Sequence, residues 1–341
     1  MNTVAKESFN KIKEVKAKLR DDKNNVKLQE ELLNINKELK ENALKMFSDE
    51  SAIKKFLDNI GVFNNYTYNN QLLILFQKPD YSFVASFDTY KKLGYSVKRN
   101  PDSITIVRPV MLTTVLDNRT NELRYYSDLN KEEKEIYKNR NDDRIVYHSK
   151  KLVSFALGTV FDITDSTMPY EEIKDKLYPK VTDENADYYI DAVEKVIKDN
   201  HFNLEYNPLQ GKEGYCTFKE NKIVISDKLT GVAKLKVLLH ELAHSLAHTN
   251  LKDNYADYKK DRGHYEVEAE AISYSVGKFL NINMADDSLA YLYSYSKNKD
   301  FEELDNSLKT IVEISSNIIK KINDKTKNFQ FDYNIDNEMV K

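Results

Sequence analysis

Tryptophan is absent from this chain, and its 341 residues hold one cysteine, six prolines and eight glycines. A lone Cys216 excludes an intrachain disulfide and fits a reducing compartment. Long apolar runs are missing too. The longest clean one is Leu72-Leu73-Ile74-Leu75-Phe76, far short of the roughly 20 residues a membrane-crossing helix needs. Met1 to Arg20 is charged throughout with no apolar centre, so neither a secretory leader nor a membrane partner is expected, and a cytoplasmic location is. Neither sign of charge dominates: 52 basic residues face 55 acidic ones, for a net charge of −3. No global basic field advertises nucleic acid, so only a local patch could do so. The length predicts two domains with modest cores.

What is present centres on Leu238-Leu239-His240-Glu241-Leu242-Ala243-His244-Ser245-Leu246. The pattern is HExxH within an apolar helix. Positions four apart on a helix of 3.6 residues per turn lie one above the other. His240 and His244 can therefore offer imidazole nitrogens to one metal ion, and Glu241, one step round, can reach a water on it. Zinc lowers the pKa of such a water to roughly 7, and the glutamate can take its proton. HExxH alone is a loose pattern that also occurs by chance on solvated helices. Here, however, Leu235, Leu238, Leu239, Leu242, Ala243 and Leu246 predict a buried helix, where unpartnered polar groups are costly.

A zinc site with two histidines needs a third protein ligand. The candidates lie in His264-Tyr265-Glu266-Val267-Glu268-Ala269-Glu270-Ala271-Ile272. Glu266 and Glu270 share a helix face, whereas Glu268 points away and reads as part of a solvated acidic helix start. Glu266 is the expected ligand, and Glu270 the acceptor for a ligand histidine N–H, which sets its tautomer. Three rivals are weaker. His248 continues the stripe, but a straight helix cannot wrap three successive turns around a tetrahedral ion. A metzincin would want Gly at Ala247 and His at Asn250. Cys216, in Glu213-Gly214-Tyr215-Cys216, faintly resembles the cysteine ligand of peptide deformylases, whose helix would need Asp at Ala243. A half-buried strand position suits Cys216 better.

Residues 1–60 read as helical, with Ile12, Val15 and Leu19, then Leu28, Leu32, Ile35 and Leu39, at 3–4 spacing about a turn at Asp21–Asn25. From Tyr66 an α+β module begins. It holds the apolar run 71–77, a short helix Asp88–Leu93 closed by Gly94, strands at 104–109, 152–155 and 160–163, and a charged insert at about 110–150 with a helix around Leu129–Asn139. Across 84–112, Lys91, Lys92, Lys98, Arg99 and Arg108 outweigh Asp88 and Asp102, and Tyr81, Phe83, Phe87, Tyr90 and Tyr95 lie in or just before that window. Such interleaving serves a single-strand surface, with cations for the backbone and ring faces for bases. It equally describes core aromatics beneath solvated lysines. Residues 166–186, with Pro169 and Pro179, read as a linker. A helix at 186–199, a hairpin of 216–218 with 223–225, the metal helix at 231–249, a polar loop 250–264, a helix to about 280, helices at 284–296 and 301–322, and a polar tail complete the chain.

The succession Asn69-Asn70-Gln71-Leu72-Leu73-Ile74-Leu75, Val84-Ala85-Ser86-Phe87, Tyr90-Lys91-Lys92-Leu93-Gly94, Val97-Lys98, Ile104-Thr105-Ile106 and Val160-Phe161-Asp162-Ile163 resembles the N-terminal domain of ArdC-type antirestriction proteins and LtrC-like proteins of conjugative elements. The resemblance covers roughly residues 45–280. It implies an α+β chain: a small single-stranded-DNA-binding domain, then a mostly helical zincin-like metallopeptidase domain of the ImmA/IrrE group with a short β-sheet. The boundaries expected are a helical arm at 1–45, the DNA-binding domain at 46–165, the linker at 166–186, the metallopeptidase domain at 187–325 and a tail at 326–341. His240, Glu241, His244, Glu266 and Glu270 fall on the family's HExxH and downstream ExxA(E/N) pattern. Tyr90 stands where the family usually has Trp, and Arg99-Asn100-Pro101 replaces a Lys-Gly-Glu-Lys-Gly turn.

The expected function is gluzincin-like peptide hydrolysis combined with single-stranded DNA binding in a mobile-element antirestriction protein. One Zn2+ per chain would be held by His240, His244 and Glu266, with Mn2+ as an alternative, and Glu241 would act as base. His248, Tyr265 and Tyr274 are candidate oxyanion donors. Lys91, Lys92, Lys98, Arg99 and Tyr90 would contact DNA, and the protein partner would be a peptide substrate or a restriction enzyme. The alternatives are a non-proteolytic DNA-binding antirestriction factor with a structural or vestigial metal domain, and a conjugation scaffold indifferent to single strands.

Overall fold

The computed structural model describes residues 3–22, 25–139, 141–248, 262–284, 297 and 301–326. The N-terminal helices α1 (Thr3–Asp21) and α2 (Val26–Leu44) pack side by side, and the Asn25 side chain caps α2 by accepting from the Leu28 N–H at 3.1 Å. Ala5, Phe9, Ile12 and Val15 form the buried stripe of α1, so this hairpin contributes to the core. Next come α3 (Glu50–Asn59), whose first turn is capped by Asp49, and α4 (Tyr68–Gln77). The unpatterned apolar run 71–77 is α4 itself, buried over residues 70–77.

A four-stranded antiparallel sheet follows: β1 (Val84–Ala85), β2 (Ser103–Asp117), β3 (Glu122–Tyr125) and β4 (Ile145–Asp162), in the order β1-β4-β2-β3. The short helix α5 (Phe87–Lys92) lies between β1 and β2. The short strands expected at 104–109, 152–155 and 160–163 are parts of two long ones. β2 and β4 pair from Ser103↔Phe161 out to Asp117↔Ile145, with register shifts at Val110/Met111 and Thr114/Val115. The charged insert is therefore a projecting β-arm. At its outer end α6 (Lys131–Lys138), closed by an Asn130–Glu133 capping box, sits over a small separate core of Val115, Leu129, Ile136 and Ile145.

Where β2 lacks a strand neighbour, side chains of α4 complete it. Asn70 donates to the Val107 carbonyl and accepts its N–H, both at 2.8 Å, and Gln77 does the same with Thr105. Two amides seven residues apart thus mimic a strand and cap an exposed edge. Asp162, fully buried, accepts from the Ser82, Phe83 and Thr164 N–H groups and the Thr164 hydroxyl.

The segment expected as a linker is not a bare tether. It contains α7 (Glu171–Leu177) and buries Met168, Ile173, Leu177 and Val181. Beyond it stand α8 (Ala186–Asp199) and a three-stranded sheet of β5 (Asn203–Asn207), β6 (Gly214–Thr217) and β7 (Lys222–Ser226), in the order β5-β7-β6. The 216–225 hairpin is its β6–β7 antiparallel pair; β5, parallel to β7, was not expected. The helices α9 (Gly231–Ala247), α10 (Arg262–Phe279) and α11 (Phe301–Thr326) follow. The helix expected at 284–296, most of the loop 250–264 and the tail lie outside the described residues.

One cluster of buried apolar side chains runs from Ala5 of α1 to Ile322 of α11. Tyr274 of α10 donates to Asp58 of α3 at 2.6 Å and accepts from Lys54 at 2.9 Å. A Cβ at Gly61 would stand 2.5 Å from that of Phe279, so glycine permits this approach. The fold is α+β, and no described helix is long and apolar enough to cross a membrane.

Candidate metal centre

Helix α9 begins at Gly231, whose φ of +55° suits glycine, and Asp183 accepts the Val232 N–H at 2.8 Å. Leu235, Leu238, Leu239, Leu242 and Ala243 lock it into the core, and Val267, Ala269, Ala271 and Ile272 do the same for α10. With both helices fixed, His240, His244 and Glu266 each present one ligand atom, all within 4.8 Å of one another. His240 Nε2 lies 3.2 Å from His244 Nε2, and Glu266 Oε2 lies 3.7 and 3.4 Å from those nitrogens. His240 Nδ1 faces Glu270 Oε2 at 3.1 Å. Two imidazoles and a carboxylate make a donor set suited to zinc and other divalent ions. The Glu266 side chain is 37% exposed and that of His240 27%, so the centre opens to solvent.

The electrostatics follow from this packing. Hydrogen bonds from His240 and then His244 hold the Glu266 carboxyl well below the usual carboxylate range, against its own burial. Burial opposes charge on His240, but acceptors Glu266 and Glu270 outweigh it and raise its pKa to about 10. Burial lowers that of His244. Glu241 is 7% exposed. Burial raises its pKa to about 7, with His240 pulling it down and Glu266 adding to the rise. Its neighbour across the helix is edge strand β6, where a Cβ on Gly214 would stand 3.2 Å from Glu241 Cγ and 2.7 Å from Val237 Cγ1.

Four expectations need correction. Glu268 is not solvated: it is 5% exposed, and its two carboxylate oxygens lie 3.2 Å from His248 Nε2 and 3.2 Å from His264 Nε2. Its helix is buried around most of its circumference, so pointing away from Glu266 means pointing into the protein. Burial raises its pKa, but the two imidazoles prevail and bring it to about 2. His248, 1% exposed, is turned toward Glu268 and His244 and cannot serve as an oxyanion donor. Nor can Tyr274, whose hydroxyl is engaged by α3. Tyr265 packs its ring on His248. Cys216, on β6, is held protonated by burial and then by Glu241.

The fourth correction concerns the basic stretch. Tyr90 is fully buried and donates to the Phe161 carbonyl at 3.1 Å, so no ring face is free for a base. Tyr81 and Phe83 are buried as well. Lys91, Lys92, Lys98 and Arg99 are all exposed, and Lys98 donates to the Thr164 carbonyl at 2.8 Å. Phe87 remains 53% exposed. The β-arm went unnoticed in the sequence. Between residues 104–114 and 145–160 it carries Arg108, Lys150 and Lys151 and no acidic residue, with Tyr147, Leu152, Val153 and Phe155 exposed. Apolar residues on either side of the Lys150-Lys151 pair are the signal that the sequence carries.

Residues 9–161 match the family model for the N-terminal domain of anti-restriction factor ArdC. An uncharacterized protein of Bacillus anthracis is 24% identical over 328 residues, which is 89% of this chain and 54% of that protein. The chain thus spans about half the length of the curated relative it matches. Two crystal structures of the antirestriction ArdC protein from plasmid R388 are also similar, each covering 78% of this chain and 86% of that one. The metal-free form gives 12% identity and a TM-score of 0.41, and the Mn(II)-bound form 14% and 0.43. Residues 9–161 of this chain thus form an N-terminal domain of the ArdC type.

Proposed function

We propose that the chain is a metal-dependent peptidase joined to a single-stranded-DNA-binding module. The observation that carries this reading is the convergence of His240, His244 and Glu266 beside the buried Glu241. Zinc fits this set best, with Mn2+ as the alternative. When bound, the ion would polarise the scissile carbonyl and acidify water. Glu241 takes a proton from the attacking water on its carboxylate and returns it to the leaving nitrogen, work suited to a carboxyl near neutrality. Among the described residues β6 pairs only with β7. Its outer edge, alongside Glu241, offers main-chain groups to an extended peptide by β-augmentation.

Single-stranded DNA would lie on exposed cations of the N-terminal module. The exposed Lys91, Lys92, Lys98 and Arg99 supply part of them, and Arg108, Lys150 and Lys151 with Tyr147 and Phe155 lie along the arm.

The test begins with metal content of the purified protein beside Glu266→Ala and Cys216→Ala. About one zinc per chain, lost with Glu266→Ala and kept with Cys216→Ala, is the expected result; no stoichiometric metal in the wild type overturns the reading. Glu241→Gln should then retain metal while losing peptide hydrolysis. If that variant protects entering DNA as well as the wild type, the antirestriction role is non-proteolytic.

A further inference from the structure

Beneath the three ligands lies a second set of polar groups that the proposed chemistry leaves unused. His244 Nδ1 stands 3.3 Å from His248 Nδ1, His248 Nε2 stands 3.2 Å from Glu268 Oε2, and Glu268 Oε1 stands 3.2 Å from His264 Nε2. The side chains of His248 and Glu268 are only 2% and 7% exposed. Neither reaches the position shared by His240, His244 and Glu266, and no second group of three metal-binding side chains forms among the described residues.

The protons on this chain have one consistent order. His244 faces the other two ligands through Nε2, so coordination there uses the Nε2 lone pair and leaves the proton on Nδ1. That N–H can donate only to an unprotonated His248 Nδ1. A neutral His248 then carries its proton on Nε2 and donates it to Glu268. Each ligand histidine is thereby backed by a carboxylate of α10. Glu270 backs His240 directly at 3.1 Å, and Glu268 backs His244 through one intervening imidazole. Such partners orient a ligand ring and raise its basicity, and their loss typically weakens metal binding by about 10–100-fold.

We infer that His248 and Glu268 are positioning residues that fix the tautomer and orientation of His244 for metal binding; this rests on the metal-centre reading above. The rival explanation is a clamp that merely pins the end of α9 to the start of α10. His248 is the C-cap of α9, with its N–H on the His244 carbonyl at 3.1 Å, so a clamp is a real competitor.

The experiment measures zinc affinity by chelator competition, the visible spectrum of the Co(II)-substituted protein, and thermal stability of the metal-free form. Wild type is compared with His248→Phe, His248→Asn, Glu268→Gln and Glu266→Ala. Phenylalanine removes the acceptor; asparagine places an amide oxygen close to where Nδ1 stands. The expected result is one zinc per chain in His248→Phe with affinity reduced about 10–100-fold, a shifted Co(II) spectrum, and recovery of most of the loss in His248→Asn. Glu268→Gln, which keeps the shape, should show a smaller loss and covers the case in which His248→Phe does not fold. Unchanged affinity and spectrum in both His248→Phe and Glu268→Gln overturn the inference. So does a loss of metal-free stability in all three variants with the Co(II) spectrum unmoved, the signature of a clamp. Wild type that binds one zinc and loses it in Glu266→Ala, beside an unaffected His248→Phe, removes the positioning role alone. Wild type without metal removes both readings.

Discussion

The α9–α10 pair and the β-arm handle polar and apolar groups in opposite ways. Between α9 and α10, three histidines and two glutamates are gathered at separations of 3.2–3.7 Å: His240, His244, His248, Glu266 and Glu268, with Glu270 behind them at 3.1 Å from His240. Along the arm, Leu152, Val153, Phe155 and Tyr147 stand in solvent beside Lys150 and Lys151. The first arrangement is costly unless every group has its partner, which makes its geometry unique and suited to holding an ion. In the second, apolar area that folding leaves uncovered stays available for an external partner, and the geometry is free to adapt. Fixed chemistry sits where the chain is over-determined, and adaptable contact where it is not.

The sharpest way to break this contrast is Glu266→Ala, expected to take bound zinc from about one per chain to none while the DNA binding proposed for the arm stays unchanged. Metal analysis alongside a filter-binding titration reads both; a joint loss would mean that the two regions are coupled. Next is the same truncation made in each place. Leu242→Ala, at a fully buried position, should cost about 2–5 kcal/mol, whereas Leu152→Ala, at a position 47% exposed, should cost less than about 0.5 kcal/mol. Urea titrations of both variants test this, and equal losses would show that the arm is packed in solution.

Smaller again is Phe155→Ala, expected to weaken single-stranded DNA binding by about 1–3 kcal/mol, as loss of a stacking partner does. Replacing Lys150 and Lys151 together should flatten the salt dependence of that binding. Equal binding by wild type and the variants would clear the arm of any role. The smallest effect belongs to Tyr90→Phe. It removes the hydrogen bond to Phe161 and should cost about 0.5–1.5 kcal/mol of stability with no change in DNA affinity. A drop in affinity without loss of stability would restore Tyr90 to the binding surface.

Several features were legible in the residues because local geometry settles them. The four-residue spacing of His240 and His244, and of Glu266 and Glu270, places each pair on one helix face wherever the helix lies. The apolar flanks likewise announced that α9 would be buried, and the alternating stretches announced strands. Only packing between distant elements could decide the rest. Glu268 looks away from Glu266 in any fold, yet whether that direction meets water or His248 depends on α9 lying against α10. Tyr90 follows the same logic: its aromatic and basic neighbours are visible in sequence, but the β4 carbonyl that takes its hydroxyl is that of Phe161, far along the chain. Asn70 and Gln77 read as ordinary amides until β2 arrives with an unpaired edge. Spacing along a helix is set by bonds that the sequence carries in itself, whereas burial in these cases is set by partners 20 to 71 residues away, and those come together only once the chain has folded.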